Sequence, residues 1–570
     1  MSRLLDWFED PSSATGIAFL RGDGQWRRFT YDELAAAADA AAAQLAARVE
    51  AAEEGGVVPI LVSAGPRFVA AFFGALRAGL TPCPLAPPTF LSDPDVYRDH
   101  LQGILQIAQP AAVVVEAEFE AVVQAAVARL PIDPPLVHLD GEPGGGARGG
   151  RSEPPELALL QFTSGSTGRP RGVRVGTANL EANIGMIERW LALRHDDRAV
   201  SWLPLFHDMG LIGALITPIV RGMDALIMPP EQFMRSPMLW LDCFDRLGGT
   251  CSASPSFGFA YLAKRLPPDE LARLDLSRWR IAIAGAERLD AGAMARFARL
   301  AKPAGFRPET FAPAFGMAEA TLAVTGVPAD EVPLAVRLDW SGMRFGDRVD
   351  VIEQTHVDDA DRIGAGVGWA VDCGVPLPGL SVRVVDGDGD PLPDGHVGEI
   401  VVEGPSVCDG YSADGREGDT AIDDGVLRTG DAGMVFAGRL FALGRMADSV
   451  SVRGRNLYAE DLETAVAAVD GVSRGRCAVF SGVDQGAPVL VCLVEEQPGA
   501  WVDAAGRLLR REAGDEATVH VVAAERGTIA RTSSGKPRRR AMAWDFLEGS
   551  LPGEVVWSNR AAATGTRETG

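Results

Sequence analysis

The sequence has few of the features that mark secreted, membrane-spanning or nucleic-acid-binding chains. Its seven cysteines are odd in number and include no C-x-x-C pair, which argues against a disulfide framework and a zinc ribbon. The most apolar early stretch, 57–80, is broken by Gly65, Pro66 and two arginines, so it is not a run of about 20 apolar residues that could cross a bilayer. Three acids within the first ten residues exclude an ordinary signal peptide. We therefore expect a cytoplasmic protein with no membrane span.

Positive charge is also scarce. Lys and Arg number 54 against 77 Asp and Glu, which gives a net charge of −23. Such a field repels polyanions, so nucleic acid is not an expected partner. The hydrophobic fraction of 47% and the charged fraction of 23% are those of a globular chain. Glycine is abundant, at 65 residues, and gathers in a few short motifs.

Apolar strands alternate with helical stretches along most of the 570 residues, and this alternation predicts an α/β fold. Thr30 and Glu33 have capping-box spacing at the start of an alanine-rich helix. After about residue 372 the pattern changes to short β segments with turn signals, which predicts a smaller β-rich subdomain. A final αβ region runs to about 548, and the tail, 549–570, lacks apolar periodicity, so we expect it to be disordered.

The sharpest local feature is TSGSTGRPRG at 163–172, which follows the apolar stretch 157–162 and precedes a helical pattern from Thr177. In a strand-to-helix turn, small hydroxyl residues and glycines allow backbone N–H groups and hydroxyls to converge on phosphate oxygens. The alternative is an ordinary Ser/Gly surface loop. A Walker P-loop is excluded because SSGKP at 533–537 has Pro where Ser or Thr is required.

TSGSTGRPRG resembles the phosphate-binding signature of the adenylate-forming superfamily, which includes acyl-CoA synthetases, luciferases and adenylation domains of nonribosomal peptide synthetases. The rest of that superfamily's motifs follow in order over about residues 15 to 548. They are IAGAE at 283–287, FGMAEAT at 315–321, RTGD at 428–431, GRMAD at 444–448 and TSSGK at 532–536.

The resemblance implies ATP and Mg²⁺ as cofactors and assigns roles to named residues. Lys536 reaches the reacting phosphate, Glu319 holds Mg²⁺, His207 lies beside the acyl carboxylate, and Asp448 is the domain hinge. His207 has a second interpretation, that of a hydrogen-bonded structural residue. The implied nucleotide-binding residues are Thr163, Ser164, Gly165, Ser166, Thr167, Gly168, Gly285, Ala286, Glu287, Phe315, Gly316, Met317, Asp431 and Arg445.

The chemistry of these residue types agrees with that implication. A carboxylate that attacks the α-phosphate of ATP approaches a polyanion, so the enzyme must screen charge and align the reactants. A lysine and a metal-binding acid stabilise the charge that develops in the transition state. Arg171 stands where the superfamily commonly has lysine, and it keeps the positive charge with a wider fork of donors.

Within the superfamily, SWLPLFHDMGLIG at 201–213 and VRGRNLYAEDLE at 452–463 look most like the fatty acyl-AMP ligases. The segment at about 329–372 lies where that branch has an insertion, which is associated with poor use of CoA and delivery of acyl groups to carrier proteins. We expect this acidic segment to be a solvated surface element. The resemblance implies an apolar carboxylic acid substrate and a separate acyl carrier protein or polyketide synthase as partner. An acyl-CoA synthetase and a catalytically silent nucleotide- or acyl-binding assembly protein remain as alternatives.

The expected architecture follows from the same resemblance. It is a large N-terminal domain, 1–445, of two related α/β subdomains plus a β-rich subdomain. A small mobile C-terminal α/β domain, 446–548, follows it.

Overall fold

The computed structural model of the protein describes most of the chain, and the statements below refer to the described residues. These are 3–49, 55–88, 94–139, 150, 153–164, 170–339, 344–364, 368–412, 420–446, 449–452, 455–484, 487–514, 517–532 and 535–560.

A nine-stranded sheet forms the centre of the large N-terminal region. Its middle strands pair in parallel, and antiparallel pairs close both edges. These strands are short, apolar and buried, as is typical of parallel strands covered on both faces. Across the sheet their order is β18 (Val375–Pro376), β14 (Ala323–Gly326), β13 (Phe311–Gly316), β12 (Ile281–Ala284), β11 (Cys251–Ser254), β9 (Arg198–Ser201), β10 (Asp224–Ile227), β1 (Gly16–Leu20) and β2 (Trp26–Thr30).

A second α/β unit contains four parallel strands beside a group of three antiparallel strands. The Thr81 hydroxyl donates a hydrogen bond to the carbonyl oxygen of Leu157 at 2.9 Å, which ties the two groups together. This confirms the predicted pair of α/β subdomains. The parallel strands are β4 (Thr81–Pro84), β3 (Val57–Leu61), β5 (Val113–Val115) and β6 (Leu136–Val137), and the antiparallel ones are β21 (Tyr411–Ser412), β8 (Pro170–Gly176) and β7 (Leu157–Ser164).

Helices cover both sheets. The predicted capping box is present, because the Glu33 N–H donates to the Thr30 hydroxyl and the Glu33 carboxylate accepts from the Thr30 N–H. No helix in the described segments has both the length and the apolar character needed to cross a membrane. The helices of the large region are α1 (Tyr31–Ala46), α2 (Pro66–Arg77), α3 (Pro94–Ala108), α4 (Glu120–Val127), α5 (Thr177–Leu191), α6 (Thr217–Val220), α7 (Pro230–Arg235), α8 (Met238–Asp245), α9 (Ser256–Arg265), α10 (Pro268–Leu271), α11 (Ala291–Ala301) and α12 (Ala360–Ile363), with a π-helix at Met209–Ile216.

The predicted β-rich subdomain is a five-stranded antiparallel sheet. It follows a three-stranded sheet formed by the segment 329–372, of which the structure describes 329–339, 344–364 and 368–372. One face of that smaller sheet is buried against the body, with Ala335, Trp369 and Val371 in the same core as α11. The strands are β15 (Leu334–Leu338), β16 (Val351–His356) and β17 (Trp369–Val371), then β19 (Ser381–Val385), β20 (Gly398–Glu403), β22 (Ala421–Asp423), β23 (Val426–Phe436) and β24 (Arg439–Arg445).

The C-terminal region has its own core around a four-stranded sheet in which Leu490, Val519 and Leu509 are fully buried. A two-stranded hairpin precedes this sheet. The elements are β25 (Ser449–Val452), β26 (Arg455–Tyr458), α13 (Ala459–Ala467), β27 (Cys477–Asp484), β28 (Ala487–Val494), α14 (Trp501–Ala513), β29 (Thr518–Ala523), α15 (Arg539–Leu547) and β30 (Glu554–Ser558).

Three expectations from the sequence are wrong in part. The segment 329–372 is a solvated surface element only around β16, because β15 and β17 are buried on both faces. The tail is not disordered from residue 549, because β30 pairs antiparallel with β29. The Trp557 ring also lies against Gly506, where a Cβ would be 2.3 Å from the ring. The stretch 163–172 is not a strand-to-helix turn, because β7 turns back into β8 before α5 begins. The composition of β8 explains the third error, because this strand begins with Pro170 and contains Gly172 and Gly176, and proline and glycine are depleted in strands.

Candidate active site

The predicted nucleotide-binding residues of the large sheet lie at the carboxyl ends of neighbouring parallel strands. Gly285 to Glu287 follow β12, and Phe315 and Gly316 end the adjacent β13. The loop that carries His207 follows β9 in the same sheet. Ligands of open α/β sheets bind outside these strand ends, so the fold brings three of the sequence motifs to one edge.

A tight turn orients Glu319 beyond β13. At Gly316 a Cβ would lie 1.9 Å from the carbonyl oxygen of Leu322, so no larger residue fits there. Thr321 has φ 71° and ψ −62°, and the Leu322 N–H donates to the Ala320 carbonyl oxygen at 2.9 Å. These values define the rare, strained form of the γ-turn. The Thr321 hydroxyl offsets that strain by donating to the Ser406 carbonyl oxygen at 2.7 Å.

Glu319 is buried, with 6% of its surface exposed, and it accepts a hydrogen bond at 2.8 Å from the Tyr411 hydroxyl. The guanidinium of Arg171 lies 3.6 Å from the centre of the Tyr411 ring, which is a cation–π contact. Burial and the charge of Glu319 raise the pKa of Tyr411, so the hydroxyl stays a donor. The sequence motifs did not point to Tyr411, because it lies 92 residues from Glu319.

The Glu319 environment fits Mg²⁺ held jointly with a nucleotide. Mg²⁺ is usually bound by one or two carboxylates together with substrate phosphates and water. In the described part of the chain, no three His, Cys, Asp or Glu side chains form a group that could hold a metal by themselves. A single buried carboxylate, with one oxygen oriented by Tyr411, matches the shared type of site.

His207 forms a close pair with its neighbour Asp208, with 2.6 Å between Nδ1 and Oδ1. Burial opposes ionisation of Asp208, but His207 and the Met209 N–H more than offset it and lower the pKa of this carboxyl. The π-helix begins at Met209, and π-helical turns are frequent at functional sites. Gln161 of β7 also donates to the Phe206 carbonyl oxygen at 2.8 Å. The pair therefore holds the His207 ring in one orientation, between the two sheets.

Asp431 and Arg445 face each other across β23 and β24 and form an ion pair at 2.9 Å. Arg445 also donates to the Thr429 carbonyl oxygen at 2.9 Å, and the Asp431 N–H donates to the Thr429 hydroxyl at 3.0 Å. Burial raises the pKa of Asp431, while Arg445 and Lys536 offset part of that rise. The turn at Gly430 has φ +68°, a conformation that favours glycine.

Among the described residues, Lys536 is the predicted site residue that the C-terminal region brings to this edge. Its N–H donates to the Thr532 hydroxyl at 3.1 Å, and its carbonyl oxygen accepts from the Thr532 N–H at 2.8 Å, which closes a short turn. The Lys536 ammonium lies near enough to Asp208, Glu287 and Asp431 to favour their charged forms. It adds to the lowering of the pKa of Asp208, and it offsets part of the rise that burial causes in the pKa of Glu287 and Asp431. A cation from one region thus faces carboxylates on three separate elements of the other.

The remaining predicted residues divide into two groups. Ala286 has φ +67°, unusual for a residue with a side chain, and the Glu287 carboxylate accepts from the Phe257 N–H at 2.9 Å. Thr163 and Ser164 end β7, paired with Arg171 and Pro170 of β8. The expectations for Gly165, Ser166, Thr167, Gly168 and Asp448 lie outside the described residues.

The fold and this site define an enzyme that binds an adenine nucleotide. The family model "AMP-binding enzyme" matches residues 11–412. The chain belongs to this family of AMP-binding enzymes.

Relatives and solved structures indicate the branch. The chain is 32% identical to the long-chain-fatty-acid–AMP ligase FadD32 of Mycolicibacterium smegmatis, over 95% of this chain and 92% of that protein. It is 29% identical to the medium-chain-fatty-acid–[acyl-carrier-protein] ligase JamA of Moorena producens, over 97% and 95%. A Caulobacter vibrioides protein whose name places it among acyl-CoA synthetases is 34% identical over 88% and 87%. A structure from a study of fatty acyl-adenylate ligases of E. coli and L. pneumophila superimposes with a TM-score of 0.83 and 28% identity, over 96% and 98%.

Proposed function

We propose that this protein is a fatty acyl-AMP ligase. It joins an apolar carboxylic acid to AMP from ATP, releases pyrophosphate, and passes the acyl group to the phosphopantetheine thiol of a carrier protein. The observation that carries the proposal is the convergence of Lys536 on Asp208, Glu287 and Asp431, beside the buried Glu319. That arrangement suits a reaction in which a carboxylate must approach a polyanion.

Each side chain has a defined task in this proposal. Lys536 neutralises the charge that develops on the α-phosphate and the attacking carboxylate. Asp431 accepts hydrogen bonds from the ribose hydroxyls, and Arg445 keeps it ionised. His207, oriented by Asp208, positions the acid beside the phosphate. Gly285 to Glu287 and Phe315 to Met317 line the adenine, while residues 163–168 bind the phosphates.

Glu319 would hold Mg²⁺, with Tyr411 fixing the direction of its carboxylate. When bound, the metal supplies charge that neutralises the phosphate oxygens of ATP. The hydrogen bonds and ion pairs of Tyr411, Arg445 and His207 described above are made between the protein's own side chains.

The acceptor is proposed on two grounds. JamA is named as a ligase of medium-chain fatty acids to acyl carrier protein, and FadD32 as a long-chain-fatty-acid–AMP ligase. The segment 329–372 also packs one face into the core of the body. The second candidate is CoA, favoured by the Caulobacter relative. A cytoplasmic location is part of the proposal and agrees with seven buried, unpaired cysteines.

The test supplies purified protein with ATP, Mg²⁺ and a library of carboxylic acids. We expect acid-dependent exchange of pyrophosphate into ATP, and acyl thioesters on a carrier protein when mass spectra are taken after its addition. If parallel reactions that contain CoA gave acyl-CoA as the main product, CoA would replace the carrier protein as the proposed acceptor. Absence of exchange for every acid, with Lys536→Ala indistinguishable from the parent, would overturn adenylation itself.

A further inference from the structure

Two ion pairs connect the C-terminal region to the short loop that follows β12. Arg288 of the loop pairs with Asp461 in the first turn of α13. Two residues further on, Asp290 pairs with Arg474 at 2.5 Å. The charges alternate, since the loop supplies the cation of one pair and the anion of the other. The contact is therefore specific for one alignment of the two regions.

The loop is firmly attached to the large region. It leaves β12 through Gly285, Ala286 and Glu287, the residues proposed to line the adenine. It enters α11 at Asp290, whose carboxylate caps the helix by accepting from the Ala293 N–H at 2.9 Å. Residues 288 and 290 are thus held between a central strand and a capped helix, so the ion pairs they form are anchored at the nucleotide-binding edge.

The first pair is largely withdrawn from water, and the second is partly exposed, with 32% of Arg474 and 24% of Asp290 accessible. The Arg288 and Asp461 side chains are 10% and 23% exposed. Burial raises the pKa of Asp461, and Arg288 opposes the rise. Asp290 also faces a second cation, Arg296. Burial and the neighbouring Arg474 lower the pKa of Arg296, whereas the charge of Asp290 opposes that lowering. Removal of one partner from such a pair leaves a poorly solvated charge, so the contact is costly to break on one side alone.

We propose that the Arg288–Asp461 and Asp290–Arg474 pairs form a latch that positions Lys536 over the site for adenylation and is not needed for acyl transfer. The proposal rests on the function proposed above. Lys536 stands on a turn held by its own backbone bonds, so its place beside Asp208, Glu287 and Asp431 depends on how the C-terminal region is seated. The four latch residues are positioning residues, since none of them is assigned to the substrates.

The decisive measurement separates the two half-reactions. Arg288→Met keeps much of the side-chain bulk and removes the charge. We expect it to lower acid-dependent pyrophosphate exchange at least tenfold, while transfer from a supplied acyl-adenylate to carrier protein keeps its rate or becomes faster. Asp461→Asn should give the same split. The exchanged pair Arg288→Asp/Asp461→Arg should recover exchange to within about threefold of the parent, allowing for a cation at a helix N-terminus.

Matched controls distinguish positioning from general destabilisation. Arg280 and Asp197 form an ion pair with 13% and 3% exposure inside the large region, so Arg280→Met should reduce thermal stability and lower both half-reactions together. Arg507→Met removes an exposed charge within α14 and should change neither. Asp290 is left intact because it also caps α11, and Arg474→Met tests the second pair instead.

Three results would overturn the latch: unchanged exchange in Arg288→Met, equal loss of both half-reactions as in Arg280→Met, or no recovery in the exchanged pair. If the parent transfers to no carrier protein, the proposed acceptor fails, but the coupling between Arg288 and Asp461 in the exchange assay still tests the latch. Failure of the proposed acceptor would therefore be seen in the transfer assay, and failure of the latch in the exchange assay.

Discussion

The two regions that meet at the active site hold their functional groups in different ways. In the large region the buried Glu319 carboxylate accepts from the Tyr411 hydroxyl, and the Asp431 carboxylate, 14% exposed, is paired with Arg445. In the C-terminal region Lys536 is exposed, on a short turn that is closed by bonds to Thr532 and held by Arg531, a residue of the same region. The comparison teaches that the anions and the nucleotide edge are preorganised, whereas the catalytic cation is delivered.

The largest effect should come from removal of the delivered group. We expect Lys536→Ala to reduce adenylation by about 10²–10³-fold, the usual loss when one preorganised donor to a transition-state charge is removed. Pyrophosphate exchange measures this step. Lys264→Ala, at an exposed lysine of α9, is the matched control. Equal loss of transfer from a supplied acyl-adenylate would contradict the division of labour between the two regions.

In the preorganised half, Tyr411→Phe removes one hydrogen bond to Glu319 and keeps the ring under Arg171. Loss of a partner that orients a metal ligand typically costs 10–100-fold, and we expect the Mg²⁺ concentration for half-maximal exchange to rise about tenfold. Direct titration of Mn²⁺ in the presence of ATP gives a readout independent of activity. An unchanged metal requirement would remove Tyr411 from the site.

The pH dependence of the KM for ATP should also test the role of Asp431 in the large region. Burial raises the pKa of Asp431, so this carboxylate takes up a proton at a higher pH than an ordinary aspartate. The KM for ATP should therefore rise as the pH falls toward that pKa and stay constant above it. Asp431→Asn should show a raised KM, about tenfold for one charged hydrogen bond, with no dependence on pH over that range. If Asp431→Asn showed the same dependence of KM on pH as the parent, Asp431 would not be the group that titrates.

The smallest effect concerns the turn beyond β13. Thr321→Val deletes the hydroxyl that donates to the buried Ser406 carbonyl oxygen, and we expect a loss of about 1–2 kcal/mol in the free energy of unfolding. Thr321→Ser retains the donor and should be nearly neutral. Urea unfolding compares the two. Identical stability of both variants would show that the hydroxyl does not stabilise the strained turn.

Much of the site follows from contiguous sequence, because each of these residues belongs to a short motif of its own: Glu287 after β12, Phe315 near the end of β13, and Asp431 within β23. Groups that act across large sequence separations could not be predicted in this way. Tyr411 reaches Glu319 only because β21 pairs with β8, with Tyr411 opposite Val173. Arg288 meets Asp461 only where two regions with separate hydrophobic cores come together. Such contacts depend on tertiary packing, which short motifs do not encode.

Errors at element level have equally local causes. The segment 329–372 carries many acids, yet β15 and β17 are buried on both faces: Ala335, Trp369 and Val371 lie in one core, and Val336, Leu338 and Ala370 lie in another. Residues 554–558 form too short an apolar run to be recognised as a strand, and only the pairing with β29 reveals it.

That last strand has a practical consequence for protein engineering. A boundary drawn after 548, where the recognisable motifs and α15 have ended, would remove β30 and uncover both the edge of β29 and the surface of α14 around Gly506. An unpaired, apolar strand edge is a template for self-association. Expression boundaries and fusion partners should therefore be placed beyond Ser558, so that the sheet edge remains covered.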